Sequence, residues 1–109
     1  MHSKNKIVIS KDFSLYPIGR TDRDGENHGQ RFYKEFLAEV LKTGTQTEIV
    51  LDGCKSMGSS FLDEALYEMP LKDNFKRNHV QLTLKIIALD PEYQFYKKMA
   101  ETFIRKLPV

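Results

Sequence analysis

Glu48-Ile49-Val50-Leu51-Asp52 is the most restrictive stretch of the chain. Three large apolar side chains in a row leave no polar face, so as a strand this run suits the middle of a sheet, buried on both faces. A turn over 53–58 follows, and then Phe61, Leu62, Ala65, Leu66 and Met69 recur at helical spacing. That spacing puts them on one apolar face of a helix. Pro70 is expected to end the helix, because the residue before a proline disfavours helical dihedrals.

The same strand-then-helix pattern recurs on either side. Lys6-Ile7-Val8-Ile9-Ser10 reads as a β-branched strand, and 13–18 as a second short extended piece held at an edge by Pro17. Tyr33, Phe36, Leu37, Val40 and Leu41 define a helix over 30–42, with Gly44 as its stop. Alternation begins at Leu82-Thr83-Leu84 and becomes wholly apolar through Leu89, which reads as another strand. Asp90-Pro91 is a helix start, with Asp at the cap and Pro at the first helical position. The face Tyr93, Tyr96, Ala100, Phe103, Ile104, Leu107 continues from there. This order predicts an α/β fold: a mixed four- to five-stranded sheet with about three helices packed on it. The 109 residues are read as a single domain over 1–109.

Composition narrows the function class. Lys plus Arg number 17 and Asp plus Glu 15, a formal net charge of +2. That balance lacks the concentrated basic stripe of a dedicated nucleic-acid binder. No stretch approaches the roughly 18 uninterrupted apolar residues of a membrane span. The basic start Met1-His2-Ser3-Lys4-Asn5-Lys6 is followed by only Ile7-Val8-Ile9, too short for the apolar region of a signal peptide. With one cysteine, Cys54, an intrachain disulfide is impossible and the four-ligand zinc patterns are absent. A cytoplasmic location is expected, with neither metal nor cofactor.

In such sheets, sites tend to lie at the strand-to-helix turns. The turn and helix start over 52–64 read Asp-Gly-Cys-Lys-Ser-Met-Gly-Ser-Ser-Phe-Leu-Asp-Glu. Gly58 lets the chain turn tightly, and Ser59 and Ser60 fall at the helix start. Ser60 with Asp63 fits a capping arrangement in which the hydroxyl accepts from a free backbone N–H. A phosphate-binding loop of the form G-x-x-x-x-G-K-[ST] fails because Ser59 holds the lysine position. A nucleophile elbow, G-x-S-x-G, fails because Leu62 replaces the second glycine and Phe61 and Leu62 look like core. Two readings stay open: plain helix caps, or a serine placed to receive a phosphoryl group.

Ile49-Val50-Leu51-Asp52 followed by Met57-Gly58-Ser59-Ser60-Phe61-Leu62 resembles the signature of STAS domains, the fold of anti-sigma-factor antagonists and of sulphate-transporter tails. The Leu-Asp-Gly run, Gly-Ser-Ser-Phe-Leu-Asp-Glu-Ala, and the upstream Gly19-Arg20 with its loop and helix look more closely like the bacterial STAS-like family of unknown function. In the antagonists the first serine of the motif is phosphorylated by a partner kinase of the histidine-kinase-like ATPase type. The phosphate decides whether the two proteins bind. By position the resemblance gives this role to Ser59. Gly58 stands where the antagonists have aspartate, and Phe61 where they have glycine. Glu64 and Arg20 match the STAS-like pattern. The closer family implies a small cytosolic regulatory module that binds protein partners, and not an enzyme.

Other residues carry weaker signals. The stretch over 19–29 is a long polar loop with three glycines among its first residues and at its end, of the kind that is often functional or mobile. Its Arg20 and Arg23 suit phosphate or carboxylate recognition. Asp63 and Glu64, about 100° apart on a helix, complement the dipole of its first turn. Asp22-Arg23-Asp24-Gly25 fails as a calcium loop because arginines would occupy its first and twelfth positions. His2, His28 and His79 have no metal-ligand spacing. Cys54 reads as a half-buried structural thiol. The aromatics beside Lys97-Lys98 read as core rather than a stacking platform for single strands. The expected site is therefore Ser59 as phosphorylation candidate, with Asp52, Gly58, Ser60, Glu64 and Arg20 forming the turn or binding a partner. The alternative is a small nucleotide- or phosphometabolite-binding protein, or an enzyme, built on the 52–64 turn.

Overall fold

A computed structural model describes residues 5–109. The basic start at 1–4, with His2, lies outside the described residues. Three parallel strands, β1 (Asn5–Val8), β2 (Thr47–Val50) and β3 (Leu84–Ile87), form one sheet in the order β1-β2-β3. Among the described residues four helices and a single-turn π helix accompany them, rather than the three or so helices expected, because the connection from β2 to β3 carries two helices. A single π turn, Ile9–Phe13, follows β1. Helix α1 (29–43) connects β1 to β2, and α2 (59–72) with α3 (Arg77–Thr83) connects β2 to β3. Helix α4 (Gln94–Arg105) follows β3. Two 3-10 turns, Asp22–Asp24 and Pro91–Tyr93, complete the set. With strands in sequence order, right-handed crossovers put α1 and α2 on the same face of the sheet. Among the described residues no helix is long and apolar enough to cross a membrane.

β2 is central, as its composition predicts, and its two faces are buried unequally: Ile49 is 1% exposed and Val50, on the other face, 9%. Ile7, Ile49 and Ile86 pair in register and are buried together. The row Lys6, Glu48, Lys85 lies on the opposite face, with both lysines exposed and Glu48 half-buried. The expected mixed sheet of four to five strands is therefore a three-stranded parallel one. The missing strand is the 13–18 piece, which makes no ladder. Ile9–Phe13 closes instead through the Ser14 N–H to the Ile9 carbonyl at 2.8 Å, and Tyr16 N–H turns back onto Ser14 Oγ at 2.9 Å. Pro17 has no N–H to give.

Two helix boundaries differ from expectation for identifiable reasons. Pro70 does not end α2, which runs on to Lys72. A wide π turn, Glu64–Glu68, precedes it, and α-helical bonding restarts at Met69. Pro70 thus sits in the first turn of the restarted segment, where a missing N–H is tolerated. Helix α3 takes Leu82 and Thr83 from the expected strand. Val80 and Thr83 are buried on one helical face while Leu82 is 72% exposed. The Leu-Thr-Leu alternation is shared by a strand and by the end of a helix. Gly44 stops α1 as predicted, at φ 72° with its N–H on the Val40 carbonyl. Asp90 caps the turn leading into α4, accepting from Glu92 N–H at 3.2 Å.

Candidate functional site

The predicted site lies where the three strands end. Beyond β2 the turn is held from both sides. Asp52 accepts from Leu89 N–H at 2.9 Å and Asp90 N–H at 2.7 Å, and so ties the end of β2 to the end of β3. Its backbone carbonyl accepts from Ser10 Oγ at 3.1 Å. Tyr93 OH donates to the Cys54 carbonyl at 2.5 Å. On the other side the 14–18 segment runs along the turn. The Leu15 carbonyl accepts from Lys55 N–H at 2.8 Å, and the Pro17 carbonyl from Gly58 N–H at 3.0 Å. The piece expected at a sheet edge therefore walls the site instead.

Gly58 is the cap of α2, with extended backbone and no side-chain cap bond. Ser59 and Ser60 are the first two helical residues, Ser59 exposed and Ser60 half-buried. The expected cap from Ser60 with Asp63 does not form, because Ser60 lies inside the helix and Asp63 is engaged elsewhere. Phe61 and Leu62, 0% and 1% exposed, are core as the sequence indicates. Phe61 joins Phe13, Phe32 and Phe36 in a cluster with ring centroids 5.1–5.9 Å apart. This cluster fixes the start of α2 against α1 and the π turn.

Arg20 reaches this helix from the 19–29 loop. Its Nη1 lies 2.9 Å from Asp63 Oδ2 and 3.6 Å from Glu64 Oε1. Gln30 Nε2 donates to Glu64 Oε2 at 3.4 Å. The two carboxylates are largely buried, with side chains 15% and 8% exposed. The hydrogen bond to Asp63 is the main cause that holds the Arg20 guanidinium above its ordinary pKa. Asp63 Oδ1 is buried without a hydrogen bond. Although neighbours on a helix diverge, one guanidinium spans both side chains.

The loop itself is closed. Gly29 N–H donates to the Gly19 carbonyl at 2.9 Å and Gln30 N–H to the Arg20 carbonyl at 3.0 Å. A capping box between Thr21 and Asp24 surrounds its 3-10 turn, and Asp24 Oδ2 accepts from Arg20 N–H at 2.9 Å. Those backbone donors, Arg20 first and Thr21 next, hold the Asp24 carboxyl below the usual carboxylate range. Arg23, by contrast, is exposed and does not reach the site. Among the described residues no group of three His, Cys, Asp or Glu side chains could hold a metal ion.

A family model described as a STAS-like domain of unknown function (DUF4325) matches residues 28–94. The chain belongs to this STAS-like family. No curated protein and no solved structure matches it. The matched part of the STAS-like domain carries α1, β2, the turn, α2 and β3. It begins after Arg20, so the matched helix start and the arginine that grips it come from different parts of the chain.

The structure brings Arg20, Gly58, Ser59, Ser60 and Glu64 to one end of the sheet. Asp52 is there too, spent on backbone N–H groups. Asp63, set aside as a dipole partner, and Gln30 were missed; the pairing of a loop arginine with a helix acid has no local signal. Tyr93 and Tyr96 are half-buried against the core, whereas Phe95 is 66% exposed.

Cys54 is 4% exposed, and burial pushes its thiol from the ordinary 9.0 up to about 11. A raised acid pKa means the folded state keeps a proton that the unfolded chain loses. Its stabilising contribution is complete below pH 9 and falls away as pH rises toward 11. Burial also raises the Tyr33 hydroxyl, whose hydrogen bond to Asp73 acts in the same direction. Denaturant melts at pH 8 and pH 10.5 should show stability lost on the alkaline side, and a thiol reagent at pH 8 should label the folded protein far more slowly than the unfolded one. Rapid labelling of the folded protein would contradict the buried thiol.

Proposed function

We propose that this STAS-like domain is a cytoplasmic regulatory module and not an enzyme, which docks a protein partner at the carboxyl end of its sheet. The observation that carries the reading is the placement of exposed apolar side chains. Of the seven large apolar residues that are exposed among the described residues, Leu15, Tyr16, Ile18, Leu89 and Phe95 flank the strand ends and the 52–58 turn. Clustered exposed apolar side chains mark interaction surfaces. Ser59 lies exposed beside them. A charge added at Ser59 would change the surface a partner meets.

The family resemblance supplies the partner class, a histidine-kinase-like ATPase. In the reaction, Ser59 Oγ attacks the terminal phosphorus of a nucleoside triphosphate held by that partner. The new O–P bond forms as the bond to the diphosphate leaving group breaks, and the hydroxyl proton passes to a base of the partner. The nucleotide-binding or enzymatic alternative has less support, because Asp52 is committed to Leu89 and Asp90 N–H.

Incubation with nucleoside triphosphate and purified ATPases encoded nearby, followed by intact-mass measurement and peptide mapping, tests the proposal. One phosphoryl group on Ser59, absent in Ser59→Ala, is the expected result. No transfer from any of them, with no binding either, would overturn it.

A further inference from the structure

We infer that Arg20 is the residue that reads the state of Ser59: on phosphorylation its guanidinium leaves Asp63 and Glu64 for the phosphate, and the 19–29 loop loosens against α2. This rests on the proposed modification of Ser59 and deepens it.

Helical spacing brings the groups together. Ser59 lies one turn before Asp63, at i and i+4, so their Cβ atoms are roughly 5–6 Å apart. Arg20 bonds Asp63, and the chain just before it, at Ile18 and Gly19, packs against Gly58, the cap of the same helix. The guanidinium therefore has the phosphate position within reach of a side-chain rotation. Its side chain is 43% exposed, and its contact with Glu64 is loose at 3.6 Å.

Charge decides the direction. Two carboxylates and one guanidinium leave this cluster with a net negative charge before any modification. A phosphoserine adds about −1.5 to −2 more and offers three strong acceptor oxygens. Guanidinium matches phosphate in two parallel hydrogen bonds, whereas here it makes one good bond to Asp63. Among the described residues Arg20 is the only cation paired with Asp63 or Glu64. When it leaves, Glu64 keeps Gln30, but Asp63 has no partner for either oxygen. A largely buried, unpaired carboxylate beside a phosphate must draw in water or move away from it. Either outcome weakens the seat of the loop, whose last bonds are Gly29 N–H to Gly19 and Gln30 N–H to Arg20.

Phosphoserine installed at position 59 during synthesis tests this without any kinase, in the full chain and in its Arg20→Ala and Arg20→Lys variants. In the parent, the phosphate's phosphorus resonance should titrate at lower pH than in Arg20→Ala, with Arg20→Lys between. Amide exchange at Gly29 and Gln30 should speed about tenfold on phosphorylation of the parent. In Arg20→Ala it should already be fast and gain nothing more. Equal titration midpoints in all three, or the same acceleration with and without Arg20, would overturn the exchange of partners. Because the phosphate is installed chemically, that result would stand whether or not a partner ATPase modifies Ser59.

Discussion

Replacing Phe61 by alanine should cost about 3–5 kcal/mol of stability, the largest effect expected of any single side chain here. The ring is fully buried and meets both Phe13, 5.9 Å away between centroids, and Phe32, 5.4 Å away. These come from the π turn after β1 and from α1, while Phe61 belongs to the first turn of α2. Its loss removes apolar burial and leaves a cavity whose walls belong to three separately held elements and so collapse poorly. For a chain of 109 residues, melting should fall by roughly 15–25 °C. Denaturant titration by circular dichroism measures it. A loss under about 1 kcal/mol would mean that the aromatic cluster does not hold the helix start in place. The same cluster explains why bulk follows the two serines: Phe61 points inward as an anchor and leaves Ser59 outside.

Gly29→Ala should be nearly as damaging, although it adds a single methyl group. A Cβ there would lie 2.7 Å from the Phe61 carbonyl oxygen, 2.8 Å from Glu64 Cβ and 3.2 Å from Ala65 N. Two of these neighbours are backbone atoms, so no side chain can swing aside and α1 must move away from α2. Overpacking of this kind costs about 1–3 kcal/mol, and separation of the helices adds the bonds made across them. Gln30 to Glu64 and Gly29 N–H to Gly19 are the first to go. We expect about 3 kcal/mol in total, with faster amide exchange concentrated at 19–30. A variant as stable as the parent would show that the helices do not meet at Gly29. The alanine improves helix propensity by about 1 kcal/mol, so the clash must outweigh that gain.

The sequence made much of this legible because several segments have one physical solution. The apolar run after Glu48 is central, the periodic faces around Phe36, Leu66 and Ile104 are helices, and Asp90-Pro91 begins a helical turn. Errors arose where local pattern and tertiary context disagree. The 13–18 segment is extended, yet its partners are the amides of Lys55 and Gly58, far along the chain. Leu82 alternates like a strand residue while buried Val80 and Thr83 draw its segment into a helix. Pro70 is tolerated only because the preceding π turn shifts the bonding pattern. At the site, Ser59 and Gly58 are readable as a helix start. The grip of Arg20 on Asp63 links residues 43 apart in the chain, and Ser60 with Asp63 mimics a cap that Gly58 and Arg20 make unnecessary.

The central claim is that a partner meets the carboxyl end of the sheet and is governed by Ser59. Affinity for a purified ATPase encoded nearby tests it most directly, measured for the parent, Ser59→Asp, Tyr16→Ala and Leu82→Ala. Tyr16 is 50% exposed beside the turn, whereas Leu82, 72% exposed, is part of α3 just before β3 begins, toward the opposite end of the strands. Ser59→Asp and Tyr16→Ala should each change the dissociation constant at least about tenfold, or 1.4 kcal/mol, with Leu82→Ala equal to the parent. Equal affinity for all four proteins would contradict the claim.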